Sequence, residues 1–304
     1  MSASFGHVRS TLTQRAAVAS VSMALFLLGL KIWAAWQTGS VSMLGSLADT
    51  ALDIVASLVT LFSVRFAAQP ADDNHTYGHG KAEALAALFQ TGIITTSAIV
   101  IGWRGLSLIG SSNAPENPML GIGVSLVAII ATLVLVGFQR FVVLKTGSVA
   151  IQADSIHYTS DLALNASVIA ALVLDSMLHL HGADPVFGVG IALWLIWHAK
   201  QVAVQAIDQL MDKEWPDEKR ARFLAVAQGH PELKGIHDLR TRSSGTHDFV
   251  QFHVWVDPAM TIFEAHRVMD EVEAQLMAEF PGTEILIHPD PEGHADTERG
   301  HEFA

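Results

Sequence analysis

Ser46-Leu47-Ala48-Asp49-Thr50-Ala51-Leu52-Asp53 places two carboxylates inside an apolar run. The run extends from about residue 41 to residue 66, long enough to cross a bilayer, which takes about 20 apolar residues. A charge at mid-membrane costs roughly 2.5–3.5 kcal/mol by insertion scales, so carboxylates placed there usually have a function. On a helix, Asp49 and Asp53 lie on one face, one turn apart. Their mutual repulsion predicts that a proton or a cation lies between them.

A second apolar stretch, Asp154-Ser155-Ile156-His157-Tyr158-Thr159-Ser160-Asp161, repeats this spacing. His157 and Asp161 are four residues apart, and Asn165 continues the same helix face one turn further. With Asp49 and Asp53, the two helices supply three carboxylates and one imidazole, a set that suits a divalent metal such as tetrahedral zinc. The alternative is that each aspartate caps a helix or pairs with a basic residue. No Lys or Arg lies in the middle of either stretch, which favours the metal.

The composition indicates a membrane protein with a polar part. Of the 304 residues, 50% are apolar, and the mean hydropathy is +0.36. The chain has no cysteine, so disulfides and thiolate metal sites are excluded and any metal must be bound by His, Asp and Glu. The formal charge of −12 argues against a nucleic-acid partner. The polar N-terminus precedes a span without a cleavage signature, which predicts a retained anchor rather than a signal peptide.

Six apolar segments predict six transmembrane helices within residues 1–211. They cover residues 16–36, 41–66, 84–109, 119–144, 148–180 and 185–211. Basic residues flank the second and fourth connections (Arg65 and Lys81, then Arg140 and Lys145), whereas the first, third and fifth connections contain none. By the positive-inside rule, both termini are expected to be cytoplasmic.

The connection between the second and third predicted helices contains a group of possible ligands. Asp72, His75 and His79 lie within eight residues of one another. They could bind a metal at the membrane surface, although a polar turn that contains histidine is often simply solvated.

The residues after Met211 predict a small cytoplasmic α/β domain, residues 212–290, in the order αββαβ. A helix is expected from the Pro216 region to Ala227, strands over 236–241, 248–256 and 284–288, and a second helix from the capping box Thr261–Glu264 to about Phe280. Apolar spacing predicts that one helix face is buried: Ile262, Ala265, Met269, Val272 and Leu276. Residues 291–304 are expected to form a disordered tail.

Several possible metal ligands lie on separate elements of this domain: His237, His253, His266, His288 and Asp290. A single histidine on a strand is more often a surface or core residue than a ligand. Several of them in one small domain without cysteine leave metal binding as an open alternative.

Taken together, these motifs resemble the cation diffusion facilitator family over nearly the whole chain, from about Arg15 to Asp290. The resemblance is carried by Ser42-Met43-Leu44 leading into Asp49 and Asp53, by Ala71-Asp72-Asp73-Asn74-His75, by Tyr77-Gly78-His79-Gly80-Lys81-Ala82-Glu83, by Ala153-Asp154, by His157-Tyr158, by Ser160-Asp161, and by His237-Asp238-Leu239-Arg240-Thr241-Arg242. One Asp-x-x-x-Asp pair would be a weak signal, but the combination is specific.

The resemblance implies a homodimeric metal/proton antiporter of a bacterial inner membrane, with six transmembrane helices and a cytoplasmic ferredoxin-like domain. It implies three metal sites: a transport site of Asp49, Asp53, His157 and Asp161, a loop site of Asp72, His75 and His79, and a binuclear cytoplasmic site of His237, His253, His266, His288 and Asp290. It also implies a salt bridge between Lys81 and Asp212 that locks the dimer. Pro289 departs from the family pattern, which has Gln between the last His and Asp. One ligand of the binuclear site is therefore in doubt.

Zinc(II) is the expected substrate and also the structural or regulatory ligand, with cadmium(II) as a second substrate. Iron(II) or manganese(II) efflux is the alternative, since the transport site holds mostly oxygen ligands; the imidazole of His157 favours zinc. A metal-gated channel or sensor could use the same ligands. A membrane metalloenzyme is not expected, because the chain has no His-Glu-x-x-His motif and a four-ligand site leaves no open catalytic position.

Overall fold

The computed structural model describes the backbone of residues 2–38, 42–108, 118–178 and 183–293. Within these it describes the side chains of residues 8–34, 36, 50–107, 126–167, 169–170 and 185–293. The chain divides into two compact units, one of which is His7–Leu210, while the other takes in the chain from Met211 onward.

The first unit consists of long helices. They are α1 (Ser2–Thr38), α2 (Ser42–Ala67), α3 (Ala82–Leu108), α4 (Pro118–Thr146), α5 (Val149–Leu178) and α6 (Ala183–Leu210). Over the described residues, five of these helices are long and apolar enough to cross a membrane, and α5 is not among the five. The described side chains of α5 belong mainly to its more polar half, which carries His157 and Asp161.

Helix α1 begins at Ser2, well before the start predicted at residue 16. Two polar residues of this extension, Arg9 and Thr13, form hydrogen bonds. Arg9 donates through Nε to the carbonyl of Thr146 at the end of α4, and the hydroxyl of Thr13 lies within bonding distance of the carbonyls of Arg9 and Ser10.

Small residues bring α3 and α6 close together. A Cβ added at Gly105 would lie 3.0 Å from the carbonyl oxygen of Pro185, and one at Gly102 would lie 3.3 Å from the Cβ of Ala192. Close backbone approach at glycine and alanine is typical of helix packing in membranes. Large apolar side chains on the outer surfaces, including Phe62, Trp103 and Val134, remain exposed, as expected for helices that face lipid.

The second unit follows the predicted order αββαβ. It contains α7 (Asp217–Ala227), β1 (Gly235–Ser243), β2 (Asp248–Val256), α8 (Ile262–Glu279) and β3 (Thr283–Pro291). The sheet order is β1-β2-β3, with β1 antiparallel and β3 parallel to β2. Strand β3 continues to Pro291, beyond its predicted end, so the start of the expected tail is in fact paired with β2. The rest of that tail, residues 294–304, lies outside the described residues.

The core of this unit lies between the sheet and its helices. Alternate residues of β2 (Val250, Phe252, Val254 and Val256) pack against Phe223 of α7 and Leu276 of α8. Period-two alternation in β2 predicted this buried face correctly. The predicted face of α8 is right for four of its five members and wrong for Ile262, which is 91% exposed because it begins the helix beyond the edge of the core; Val268 is buried instead.

Candidate metal centres

Helices α2 and α5 bring three of the four predicted transport-site ligands together. One ligand atom each from Asp53, His157 and Asp161 lie within 4.8 Å of one another. His157 Nε2 and Asp53 Oδ1 lie 2.9 Å apart. His157 is buried and the two carboxylates are partly buried. Asp49 lies on α2 one turn before Asp53, but its side chain lies outside the described residues.

The local sequence explains this arrangement. His157 and Asp161 are one helical turn apart on α5, so both can face the same point on α2. Asn165, on the same face of α5, donates to the backbone carbonyl of Asp161 at 2.8 Å. The group offers oxygen and imidazole donors, which suit a divalent cation such as zinc. Separations of this size allow a single ion to lie between the three groups.

A buried polar network lies one turn before His157 and was not predicted from the sequence. The carboxylate of Asp154 is fully buried and accepts hydrogen bonds from Ser20 of α1 at 2.5 Å, Gln139 of α4 at 2.7 Å and Gln90 of α3 at 3.2 Å. Tyr158, on the next turn, donates to the carbonyl of Ser20. The network therefore fixes the position of α5 against three other helices, directly beside the metal ligands.

The loop between α2 and α3 also gathers its three predicted ligands. Asp72, His75 and His79 each offer an atom within 4.8 Å of the others. The carboxylate of Asp72 lies 3.3 Å from Nε2 of His79 and 3.4 Å from Nδ1 of His75. The same carboxylate accepts the backbone N–H of His75, which holds the pKa of Asp72 below its usual range and keeps it ionised. The buried ring of His79 packs on Phe66, and among the described residues its Nδ1 has no hydrogen-bond partner.

The sheet of the second unit places a third group on its open face. The register pairs His237 of β1 with His253 of β2, and His253 with His288 of β3. Asp290 joins them: its Oδ2 lies 2.8 Å from His253 Nδ1 and 3.2 Å from His237 Nε2, while its Oδ1 lies 3.3 Å from His288 Nε2. Burial acts to raise the pKa of Asp290. The hydrogen bond from His253 and the nearby imidazoles outweigh this effect, so the pKa lies below its usual value.

One expected member of the cytoplasmic site, His266, lies outside the ligand group. His266 is an exposed residue of α8 that lies 3.8 Å from Asp270, one turn further along the helix, and it does not belong to the ligand group formed within one chain. Pro289 lies opposite Val254 in the sheet and offers no side-chain ligand. His237, His253 and Asp290 thus form the compact part of the group, with His288 beside them.

Lys81 and Asp212, the residues predicted to form a salt bridge, belong to different units. Lys81 donates to the carbonyl of Leu210 at 3.3 Å, and Asp212 lies 3.8 Å from Arg242. The pairing between Lys81 and Asp212 stays a prediction.

Two family models match this chain. A model of the cation efflux transmembrane domain matches residues 17–211, and one of the cation efflux protein cytoplasmic domain matches residues 215–292.

Similar proteins include bacterial efflux pumps. The cation-efflux pump FieF of Shigella flexneri serotype 5b is 43% identical over 280 residues, which cover 92% of this chain and 93% of the relative. FieF of Escherichia coli O1:K1 is 43% identical and that of Escherichia fergusonii 42% identical over the same length. A solved chain of CzrB is 38% identical over 26% of this chain and 99% of its own length, with a TM-score of 0.25.

Proposed function

Because this chain belongs to the cation efflux family, also called the cation diffusion facilitator family, we propose that it exports zinc(II) from the cytoplasm in exchange for protons. Its family and its apolar helices make it an integral membrane protein. Cadmium(II) is a second expected substrate, since it shares the preference of zinc for imidazole. The observation that carries the proposal is the group of Asp53, His157 and Asp161 between α2 and α5.

Asp49 completes the transport site as a fourth ligand. Its position one turn before Asp53 on α2 supports this role. A bare divalent ion cannot cross lipid, so a carrier must replace the hydration shell, and four ligands do so for zinc. Carboxylates and imidazole hold zinc less tightly than thiolates do. This favours release of the metal on the other side of the membrane. Alternating access around this site then requires all six helices of the first unit to cross the membrane.

Proton exchange follows from the charge of the empty site. Three carboxylates held close together in a low-dielectric region do not all stay ionised, so at least one proton remains when the metal has left. Zinc binding requires ionised carboxylates and a neutral imidazole and therefore expels protons. If the empty carrier returns only in its protonated form, the inward proton gradient drives zinc export.

The other two ligand groups have structural or regulatory roles in this proposal. The loop group of Asp72, His75 and His79 binds a metal at the membrane surface. The group of His237, His253, His288 and Asp290 binds zinc in a cytoplasmic ferredoxin-like domain. His266 adds a ligand only if zinc binding or dimerisation brings it close. The match to a cation efflux cytoplasmic domain, residues 215–292, supports this assignment.

The protein is proposed to act as a homodimer in a bacterial inner membrane, with both termini in the cytoplasm. Basic residues at alternate connections support this orientation. The salt bridge between Lys81 and Asp212 belongs to the same proposal, as a lock that stabilises the dimer near the membrane surface.

Metal flux by the purified protein in liposomes tests the function. Zinc, cadmium, iron(II) and manganese are supplied one at a time, and the Asp53→Ala variant serves as the control. Saturable zinc flux that Asp53→Ala abolishes is the expected result. Flux that does not saturate indicates a channel, and a clear preference for manganese or iron(II) would overturn the choice of zinc.

A further inference from the structure

Lys31 is a basic side chain near the end of the apolar part of α1 that contacts α2 instead of extending toward water. It lies within the apolar segment Val8–Ala34, is partly buried, and donates through Nζ to the hydroxyl of Thr50 at 2.6 Å. Thr50 is fully buried. Lysine near a helix end in lipid normally extends its ammonium to the membrane surface, so this inward contact calls for a physical reason.

The position of Thr50 supplies that reason. Thr50 lies directly after Asp49 in the sequence and three residues before Asp53. Residues three apart on a helix have Cβ atoms about 5–6 Å apart, which places the Lys31 ammonium no more than about 12 Å from the Asp53 carboxylate. A partly buried cation is most stable near negative charge, and the transport-site carboxylates supply that charge.

A fixed cation so close to the site weakens the binding of the metal. It attracts the carboxylates when the site is empty and repels a divalent ion when the site is occupied. Water and salt screen such effects weakly between partly buried groups. A carrier needs metal binding of moderate strength, because an ion that binds too tightly is released too slowly for transport.

We propose that Lys31 is a tethered counter-charge for the transport site, held at Thr50, which weakens metal binding enough to permit release. This inference rests on the proposed function, since it assigns a role at the same site. Lys31 does not coordinate the metal; it acts through its charge, and Thr50 positions that charge.

Charge-neutral and charge-conserving variants of the full-length protein separate this role from a structural one. Zinc binding is measured in detergent by equilibrium dialysis, and the transport-site component is the part of the isotherm that Asp53→Ala removes. Lys31→Gln is expected to lower the dissociation constant of this component about tenfold. In liposomes, it should lower both the KM and the maximal rate for zinc flux. Lys31→Arg keeps the charge and should leave all three values close to those of the unaltered protein.

Thr50→Val provides a second, nearly isosteric variant that does not alter Lys31. Without the hydroxyl, the ammonium loses its hydrogen bond to residue 50, and the dissociation constant should fall about threefold. Unchanged zinc binding in both Lys31→Gln and Thr50→Val would overturn the inference. So would equal effects of Lys31→Gln and Lys31→Arg, since they would show that the side chain acts by packing. If Asp53→Ala removes neither zinc binding nor flux, the proposed transport site itself is wrong, which is a different outcome.

Discussion

Nε2 of His157 lies 2.9 Å from Oδ1 of Asp53, so one contact joins the two helices that carry the candidate transport site. A metal between these atoms would replace the hydrogen bond with two coordinate bonds, and the proton between them would have to leave. Binding of a metal at the site is therefore coupled to release of a proton.

Alanine at any of the four proposed transport ligands should nearly abolish zinc flux while the protein still inserts in the membrane. The variants are Asp49→Ala, Asp53→Ala, His157→Ala and Asp161→Ala. A tetrahedral site has no spare ligand, so each loss leaves zinc incompletely coordinated. Asn165→Ala is the matched control on the same face of α5, and it should retain most of the flux, as measured in liposomes. Near-normal flux in two of the four ligand variants would disprove the site.

Replacing the imidazole by a carboxylate should change the choice of metal. In His157→Asp, all ligands are oxygen atoms, which suit manganese and iron(II) better than the mixed set does. The ratio of zinc flux to manganese flux should therefore fall. An unchanged ratio would show that His157 does not determine selectivity.

Zinc transport should be matched by an opposite flux of protons. Liposomes that contain a pH-sensitive dye measure both fluxes together, and Asp53→Ala liposomes report the background leak. Zinc should also bind more weakly as the pH falls, because protons compete for the same ligands. Zinc flux without any pH change, and without response to an imposed proton gradient, would indicate a uniporter.

The cytoplasmic unit should dimerise more tightly with zinc. Its open sheet face carries His237, His253 and Asp290, and a dimer of this acidic chain would otherwise repel itself. Sedimentation of residues 212–304, which include a core of their own, measures association with and without zinc. Pro289→Gln restores the family residue and should increase the number of zinc ions bound per domain. Identical association with and without zinc would contradict a regulatory role of zinc in the cytoplasmic unit.

The capping box of α8 should contribute measurably to the stability of the same unit. Thr261 accepts the backbone N–H of Glu264, while the Glu264 side chain accepts the backbone N–H of Thr261. Thr261→Ala should lower the free energy of unfolding by about 1 kcal/mol, measured with a denaturant. Thr246→Ala, in the bend between β1 and β2, is the control.

The same capping box should make stability depend on pH. The hydrogen bond from the Thr261 backbone lowers the pKa of Glu264 in the folded unit. The stabilisation is therefore present above the unfolded pKa and is lost as the pH falls through the folded pKa. Glu264→Gln should flatten this part of the stability profile, and an unchanged profile would contradict the assignment.

Residue spacing in the sequence correctly predicted those features that depend only on residues close together in the chain. The spacing of His157 and Asp161, the alternation in β2 and the Thr261–Glu264 box all have the expected form. The sequence could not reveal contacts that depend on how helices pack. The Lys31–Thr50 contact joins residues on different helices, and Ile262 has the right spacing but lies beyond the edge of the core.

The buried carboxylate of Asp154 has a consequence for biogenesis. All three of its hydrogen-bonding side chains, Ser20, Gln90 and Gln139, belong to helices that are synthesised before α5. When α5 leaves the translocon, its partners are already in the bilayer and can accept this polar segment. We therefore expect insertion of α5 to depend on helices made earlier, and loss of those glutamines to trap the newly made chain with α5 outside the membrane.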